Sequence, residues 1–495
     1  MENKAVKYNK FNAIILKISF AIASLLFVIP SIMYYINEKT VFKFNKWFLF
    51  LLNNSERAKQ VGIYIVVMAL MALIYTLILK SRNTIFKNIK SIFIYILIIS
   101  CIFVIAIPFM CSDVFYYLGI GRLAGEYEKN PYYDTIKGFV ETENNIQLLE
   151  KDSVLHQGYL NDWAESICVY GPLWALICEF ISMLSFGNVD LGLFVFKILN
   201  VVVHMLNCLL IYKLSKNKKI FVLLYGLCPF VLVEGICSVH NDMYVLLFLL
   251  TSLYFVKNKN NLNLGIVFLM MATAIKYFAI LFLPFIVIYY FRKEKLLKKI
   301  LYCILYGMFF LVLLALPYLV YIRDLKVLSG LFMQQEKIAK SIYVILLQYF
   351  TYPSGIVTGT SKYLLMFFVI LFFFICVDML INKKLKFRFI LQNMLYILLF
   401  FVFVLITQFQ PWYLLWIYSV LVWQKSKNIK LIIQVTMLTQ FANAIFLLNG
   451  EGWQNGTPYT FVMWLGLATI ALANQYLREI RKKRIFLKQL KSVKS

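Results

Sequence analysis

This sequence predicts an all-α polytopic membrane protein, on three observations. Hydrophobic residues make up 62% of the 495 positions, above the roughly 45–50% of soluble domains, and mean hydropathy is +0.77. Apolar runs of about 18 residues or more, each able to cross a ~30 Å hydrocarbon layer, recur from end to end. These runs are continuously apolar rather than alternating. That excludes a β-barrel and leaves helices to satisfy the backbone in lipid.

The first run, 13–36, follows Lys4, Lys7 and Lys10 in the charge order of a signal peptide. It is too long for an h-region and lacks a small-x-small cleavage site, so it reads as a retained span. Clear runs follow at 61–79, 91–110, 191–212, 300–320, 362–381, 389–407, 429–448 and 459–476. Shorter or broken ones lie at 166–186, 220–235, 243–256, 263–275, 278–291 and 413–423. About 12–15 spans are expected. Four stretches result: N-terminal transmembrane helices (1–110), a loop with short interfacial helices (111–165), a helical core (166–476) and a basic tail (477–495).

The net charge of +27 does not point to nucleic acid. Basic clusters at 80–90, 213–219, 292–299, 383–388 and 425–430 alternate with the spans, as the positive-inside rule requires. The tail 478–494 adds eight Lys or Arg against Glu479. Residues 111–165 hold ten Asp or Glu against four Lys or Arg. Both termini are therefore expected in the cytoplasm and 111–165 outside, in a plasma-membrane protein. One conflict of parity remains: 166–186 and 191–212 cannot both cross. Tyr170-Gly171-Pro172 would disturb a regular span, so 166–186 reads as re-entrant or interfacial.

Nine cysteines lie mostly within apolar runs, where they act as small hydrophobes. With no CxxC pair and three histidines, a zinc site is not expected. No Walker-type loop occurs, and Gly119, Gly121 and Gly125 have the wrong spacing for a dinucleotide fingerprint. The acids lack the spacing of a divalent-cation loop, so no cofactor or metal is predicted.

Placed on this topology, the unusual polar residues gather near the outer face. Asp113 ends a long apolar run, where a carboxylate is costly unless it meets water, a partner or a substrate. Arg122 and Asn130-Pro131-Tyr132 follow it, then Tyr170. Glu234 precedes an outer turn, His240-Asn241-Asp242. Lys276 interrupts an apolar run, and Gln408 and Gln410-Pro411-Trp412-Tyr413 form another outer turn. Each has an ordinary reading when taken alone. Asp113 would be a helix cap, Lys276 a snorkelling side chain, Trp412 part of an aromatic belt, and His-Asn-Asp a hydrogen-bonded turn. Convergence on one side favours a site.

The set resembles the GT-C superfamily of polytopic glycosyltransferases, and more narrowly the bacterial polyprenol-phosphomannose-dependent α-1,6-mannosyltransferases. The matching elements are Ser112-Asp113-Val114-Phe115-Tyr116-Tyr117 with Gly121-Arg122-Leu123, Asn130-Pro131-Tyr132, Tyr170-Gly171-Pro172-Leu173-Trp174, Glu234 with His240-Asn241-Asp242, Lys276 with Pro284, and Pro411-Trp412-Tyr413-Leu414-Leu415-Trp416. Their order and approximate spacing match over residues 110–420. The resemblance implies a GT-C fold with a large extracytoplasmic first loop at the active site. It implies transfer of a hexose, mannose by resemblance, from a polyprenyl-phosphate donor to an envelope glycan or glycolipid, with inversion. Asp113 would be the general base, and Arg122, Lys276 and His240 would meet the donor phosphate. Tyr117, Asn130, Tyr132, Tyr170, Asn241, Asp242, Gln410 and Trp412 would bind sugar or acceptor. The alternative from another class is a transporter or flippase for a lipid-linked sugar or anionic envelope precursor, with Lys197, Lys276 and Asp378 lining a pathway. No internal repeat of the transporter kind is visible. A third reading keeps the fold but joins larger lipid-linked units.

Overall fold

The computed structural model describes residues 2–39, 54–108, 111–142, 144–330, 354–382, 384–406 and 408–449. The expected run at 459–476 and the basic tail lie outside the described residues. Among those described, every regular element is a helix. Six are long and apolar enough to cross a membrane: Asn12–Glu38, Gly62–Lys80, Val189–Leu214, Leu296–Tyr318, Gly359–Ile381 and Phe387–Leu405. A bent pair, Lys219–Gly226 and Pro229–Cys237, makes a seventh if taken as one span. Further apolar helices of 10–17 residues fill the rest, among them Ile89–Val104, Leu262–Thr273 and Pro411–Trp423.

The segment that created the parity conflict forms Pro172–Leu184, 13 residues. At 1.5 Å per residue that is about 20 Å, short of a ~30 Å hydrocarbon layer. It packs along the buried helix Asp113–Gly125. Gly121 permits the crossing, because a Cβ there would overlap the Cys178 carbonyl. Between these two helices the loop carries three short helices, Ile136–Thr142, Leu148–Lys151 and Ser153–Tyr159.

The outermost helices are regular and need little from their neighbours. In the most apolar stretches of Leu296–Tyr318 and Gly359–Ile381 only 6% and 11% is buried. Their outward faces carry exposed Leu311, Val312, Phe367 and Val369. Apolar surface on that scale belongs against lipid rather than water.

Near the centre, Val189–Leu214 carries a polar stripe at helical spacing: Lys197, Asn200, His204 and Asn207, all buried. Each bonds a backbone carbonyl of another segment. Lys197 donates to Ala106, Asn200 Nδ2 to Gly235 at 2.5 Å, and Asn207 Nδ2 to Met243 at 3.1 Å. His204 Nε2 lies 3.1 Å from the Gly226 carbonyl. Two of these four carbonyls, Gly226 and Gly235, belong to the bent pair, and a third, Met243, opens the helix after it. A broken helix in a membrane must find partners for the backbone groups its break releases, and this stripe supplies them. Lys197, sequence-predicted as a pathway residue in the transporter reading, is thereby committed to the backbone.

Candidate active site

Three irregular helices line one cavity, and a fourth, Leu232–Cys237, carries Glu234 behind it. Leu232–Cys237 and Phe401–Leu405 are π-helical, and Tyr277–Leu281 and Pro411–Trp423 are 3₁₀. A 13-residue 3₁₀ run is far beyond the usual three or four residues. Val239, at φ 60°, joins the first π-helix to the His240 turn. A β-branched residue in the left-handed region is strained, and such strain concentrates where a site is held in place.

The cavity is a pocket of about 360 Å³, within the roughly 300–1,000 Å³ range of small-molecule sites. Asp113 lines it, together with Trp163, Tyr170, Lys276, Gln410 and Trp412. Asp113 is the first residue of its helix and 7% exposed. Its Oδ1 accepts from Trp163 Nε1 at 3.3 Å and its Oδ2 from the Tyr117 hydroxyl at 3.5 Å. The Asn161 amide fastens the loop to the Ser112 carbonyl at 2.9 Å. The carboxylate is thus oriented by an indole and a phenol and still reaches the cavity.

Behind Asp113 stands a buried chain. His240 Nδ1 faces Asp113 Oδ2 at 3.9 Å, and His240 Nε2 faces Glu234 Oε2 at 3.3 Å. Gln440 Nε2 donates to Glu234 Oε1 at 2.6 Å, and the Tyr64 hydroxyl donates to Gln440 Oε1 at 2.8 Å. The imidazole stacks on Trp412, centroids 3.8 Å apart. Burial pushes His240 down from its usual 6.5 to about 4, which disfavours the imidazolium form. Cys111 Sγ, an Asp113 oxygen and a His240 nitrogen lie within 4.8 Å of one another. Because Sγ accepts the Asp113 N–H and the ring is held by Trp412, they read as a packed polar cluster, and no metal is assigned to them.

Lys276 reaches the pocket from the opposite wall. Its Nζ donates to both Asp242 oxygens at 2.8 Å, and Trp416 Nε1 donates to the same carboxylate. The ammonium lies 4.7 Å from the Tyr413 ring centre and 5.6 Å from that of Trp416, a cation–π arrangement. Gly171 sets this geometry. Its N–H donates to the Ile275 carbonyl at 3.0 Å, and Leu173 N–H donates to Ala274 at 2.9 Å. A Cβ on Gly171 would overlap the Ala274 carbonyl. Two chain segments therefore touch backbone to backbone, which brings Tyr170 within 6.0 Å of Lys276.

The expected site residues fall into three groups. Asp113, Tyr170, Lys276, Gln410 and Trp412 line the pocket, and Gln410 Oε1 is buried there with no hydrogen-bond partner among the described residues. Tyr117, His240, Asn241 and Asp242 are buried behind it. Arg122, Asn130 and Tyr132 serve the scaffold. Arg122 Nε pairs with Asp152 at 2.5 Å and its Nη1 with Glu126 at 3.1 Å. Asp152 also caps the next helix by accepting from Leu155 N–H, so the donor-phosphate role expected of Arg122 does not fit this placement. Asn130 Nδ2 donates to the Tyr321 carbonyl, and the Tyr132 hydroxyl to the Tyr170 carbonyl. Lining residues outside the expected set include Tyr116, Trp163, Ser166, Ser361 and Lys362.

A family model described as "Alpha-(1->6)-mannopyranosyltransferase, N-terminal domain" matches residues 21–292, more than half of the 495-residue chain. No curated protein and no solved structure matches the chain.

Proposed function

The chain belongs to the family of alpha-(1->6)-mannopyranosyltransferases, and from that premise we propose that it moves mannose from a polyprenyl-phosphate donor to an envelope glycan or glycolipid. The acceptor hydroxyl oxygen attacks the anomeric carbon, and the bond from that carbon to the phosphate oxygen breaks. The lipid phosphate leaves with the electron pair. Asp113 takes the hydroxyl proton as general base. A single displacement inverts the anomeric centre, so a β-linked donor gives an α-product. Phosphate leaves without strong acid help, so one carboxylate suffices, unlike the pair in glycoside hydrolases. The basic clusters of the predicted inner loops and the acidic balance of 111–165 support an extracytoplasmic site.

The observation that carries this reading is that Asp113 is the one carboxylate among the described residues lining the pocket. The aromatic walls (Tyr116, Trp163, Tyr170, Trp412) suit sugar faces, and the unpartnered Gln410 Oε1 suits a sugar hydroxyl. The transporter reading has less support, because Lys276 lines the pocket while Lys197 and Asp378 do not.

The test uses purified protein in detergent with polyprenyl-phosphate-[14C]mannose and an envelope-lipid acceptor. Asp113→Asn should cut transfer by about 10²–10⁴-fold without changing the unfolding midpoint. Transfer within about tenfold of wild type would remove Asp113 from the role of base.

A further inference from the structure

Three cations bear on the question of what meets the donor phosphate, and two are already neutralised. Arg122 is held by Asp152 and Glu126 away from the pocket. Lys276 lines the pocket, but both Asp242 oxygens hold its ammonium. An anion approaching that pair meets a net charge near zero, and drawing Lys276 off Asp242 would strand a buried carboxylate. The third is Lys362. It lines the same pocket on the helix Ser354–Ile381. Its side chain is exposed, and among the described residues it has no carboxylate partner.

Its position adds a second argument. Ser361, Lys362 and Leu365 give this helix a pocket-facing edge. The neighbouring positions Met366, Phe367 and Val369 are 57%, 54% and 55% exposed and form the apolar outer face. Lys362 therefore stands at the seam between a polar pocket and a lipid-facing surface. A donor with an anionic head and a long apolar tail has its phosphate at just such a seam. The helix that carries Lys362 packs against Phe401–Leu405, and there the pocket wall is apolar, at Phe401, Leu405 and Ile406, as the first isoprene units require.

We propose that Lys362 binds the phosphate of an isoprenoid-phosphate donor, whose tail runs out along the outer face of Ser354–Ile381. The inference rests on the transferase reading above, and it lies beyond the family match, which ends at residue 292. A point charge on a flexible stem can follow the phosphate as the sugar–oxygen bond breaks. A charge-assisted bond of this kind is worth about 1.5–3 kcal/mol, or roughly 10–150-fold in affinity.

The experiment compares wild type, Lys362→Met and Lys362→Arg in the transfer assay, with polyprenyl phosphate, the uncharged polyprenol and inorganic phosphate as competitors. Lys362→Met should raise the donor KM about tenfold or more while kcat changes less, and Lys362→Arg should restore it. Wild type should bind polyprenyl phosphate in preference to polyprenol, and Lys362→Met should lose that preference. Inorganic phosphate should compete weakly, because it lacks the tail. A donor KM within about twofold in Lys362→Met, with the preference intact, overturns this assignment and leaves the transferase reading standing. Competition by inorganic phosphate equal to that of the lipid overturns the tail path. No transfer by wild type from any lipid-linked donor overturns the transferase reading and this assignment with it.

Discussion

The outer and inner helices of this chain solve the same problem in opposite ways. Leu296–Tyr318 and Gly359–Ile381 are α-helical, so their lipid-facing side chains need only be apolar, and most apolar residues would serve there. The inner set, two π-helices and two 3₁₀ segments, releases backbone groups that must be matched by named side chains of other elements. In return those breaks open a cavity where a carboxylate, an ammonium and an orphaned amide oxygen can face a ligand. Regularity gives tolerance, and irregularity gives positions. Ser354–Ile381 belongs to both regions, with its outer face toward lipid and its edge at Lys362 toward the pocket.

The contrast can be broken by substitution, and the inner region should yield most. Asp242→Asn leaves the Lys276 ammonium, its side chain 13% exposed, without its carboxylate, a change that costs up to about 3–5 kcal/mol where the charge is fully buried. A thermal-unfolding series in detergent should show a large drop, and Lys276→Met added to Asp242→Asn should recover much of it. Equal stability of Asp242→Asn and wild type would show that the pair is not what holds the turn. Gly171→Ala comes next. Its Cβ would press on the Ala274 carbonyl, so about 1–3 kcal/mol is expected from forced backbone movement, together with weaker donor binding as Tyr170 and Lys276 separate. Smallest is an outer change such as Leu311→Ala, at a site 58% exposed. It should alter stability by about 0.5 kcal/mol or less and leave transfer unchanged. A loss as large as that of Gly171→Ala would mean this face is packed against something other than lipid.

The outer region was legible in the sequence because a span announces itself by composition. The pocket was legible in part. Asp113 and Lys276 stood out because charge in an apolar run demands a reason, and the structure brings both to one cavity. Arg122 looked equivalent, but its partner Asp152 lies 30 positions on, and no local pattern pairs them. Tyr117 and Tyr132 were expected in the pocket and do not line it: Tyr117, one turn past Asp113 on its helix, is buried behind the carboxylate, and Tyr132, in a turn, gives its hydroxyl to the Tyr170 carbonyl. Trp163 and Ser166 passed as ordinary loop residues. Lys362, at the mouth of an apolar run, has the look of an interfacial anchor. Periodicity signals none of the π and 3₁₀ segments, since each is a local answer to tertiary packing.

The polar stripe of Val189–Leu214 has a consequence for how the chain is made. When this helix leaves the ribosome it carries a lysine, two amides and an imidazole. A lysine at mid-helix alone disfavours insertion by about 2.5–3.5 kcal/mol. Three of the four carbonyls that satisfy the stripe, on Gly226, Gly235 and Met243, follow it in the chain and reach the membrane after it. The helix can settle in lipid only together with the segment made directly after it. The bent pair is thus the half of a hairpin that lets its neighbour enter the membrane at all.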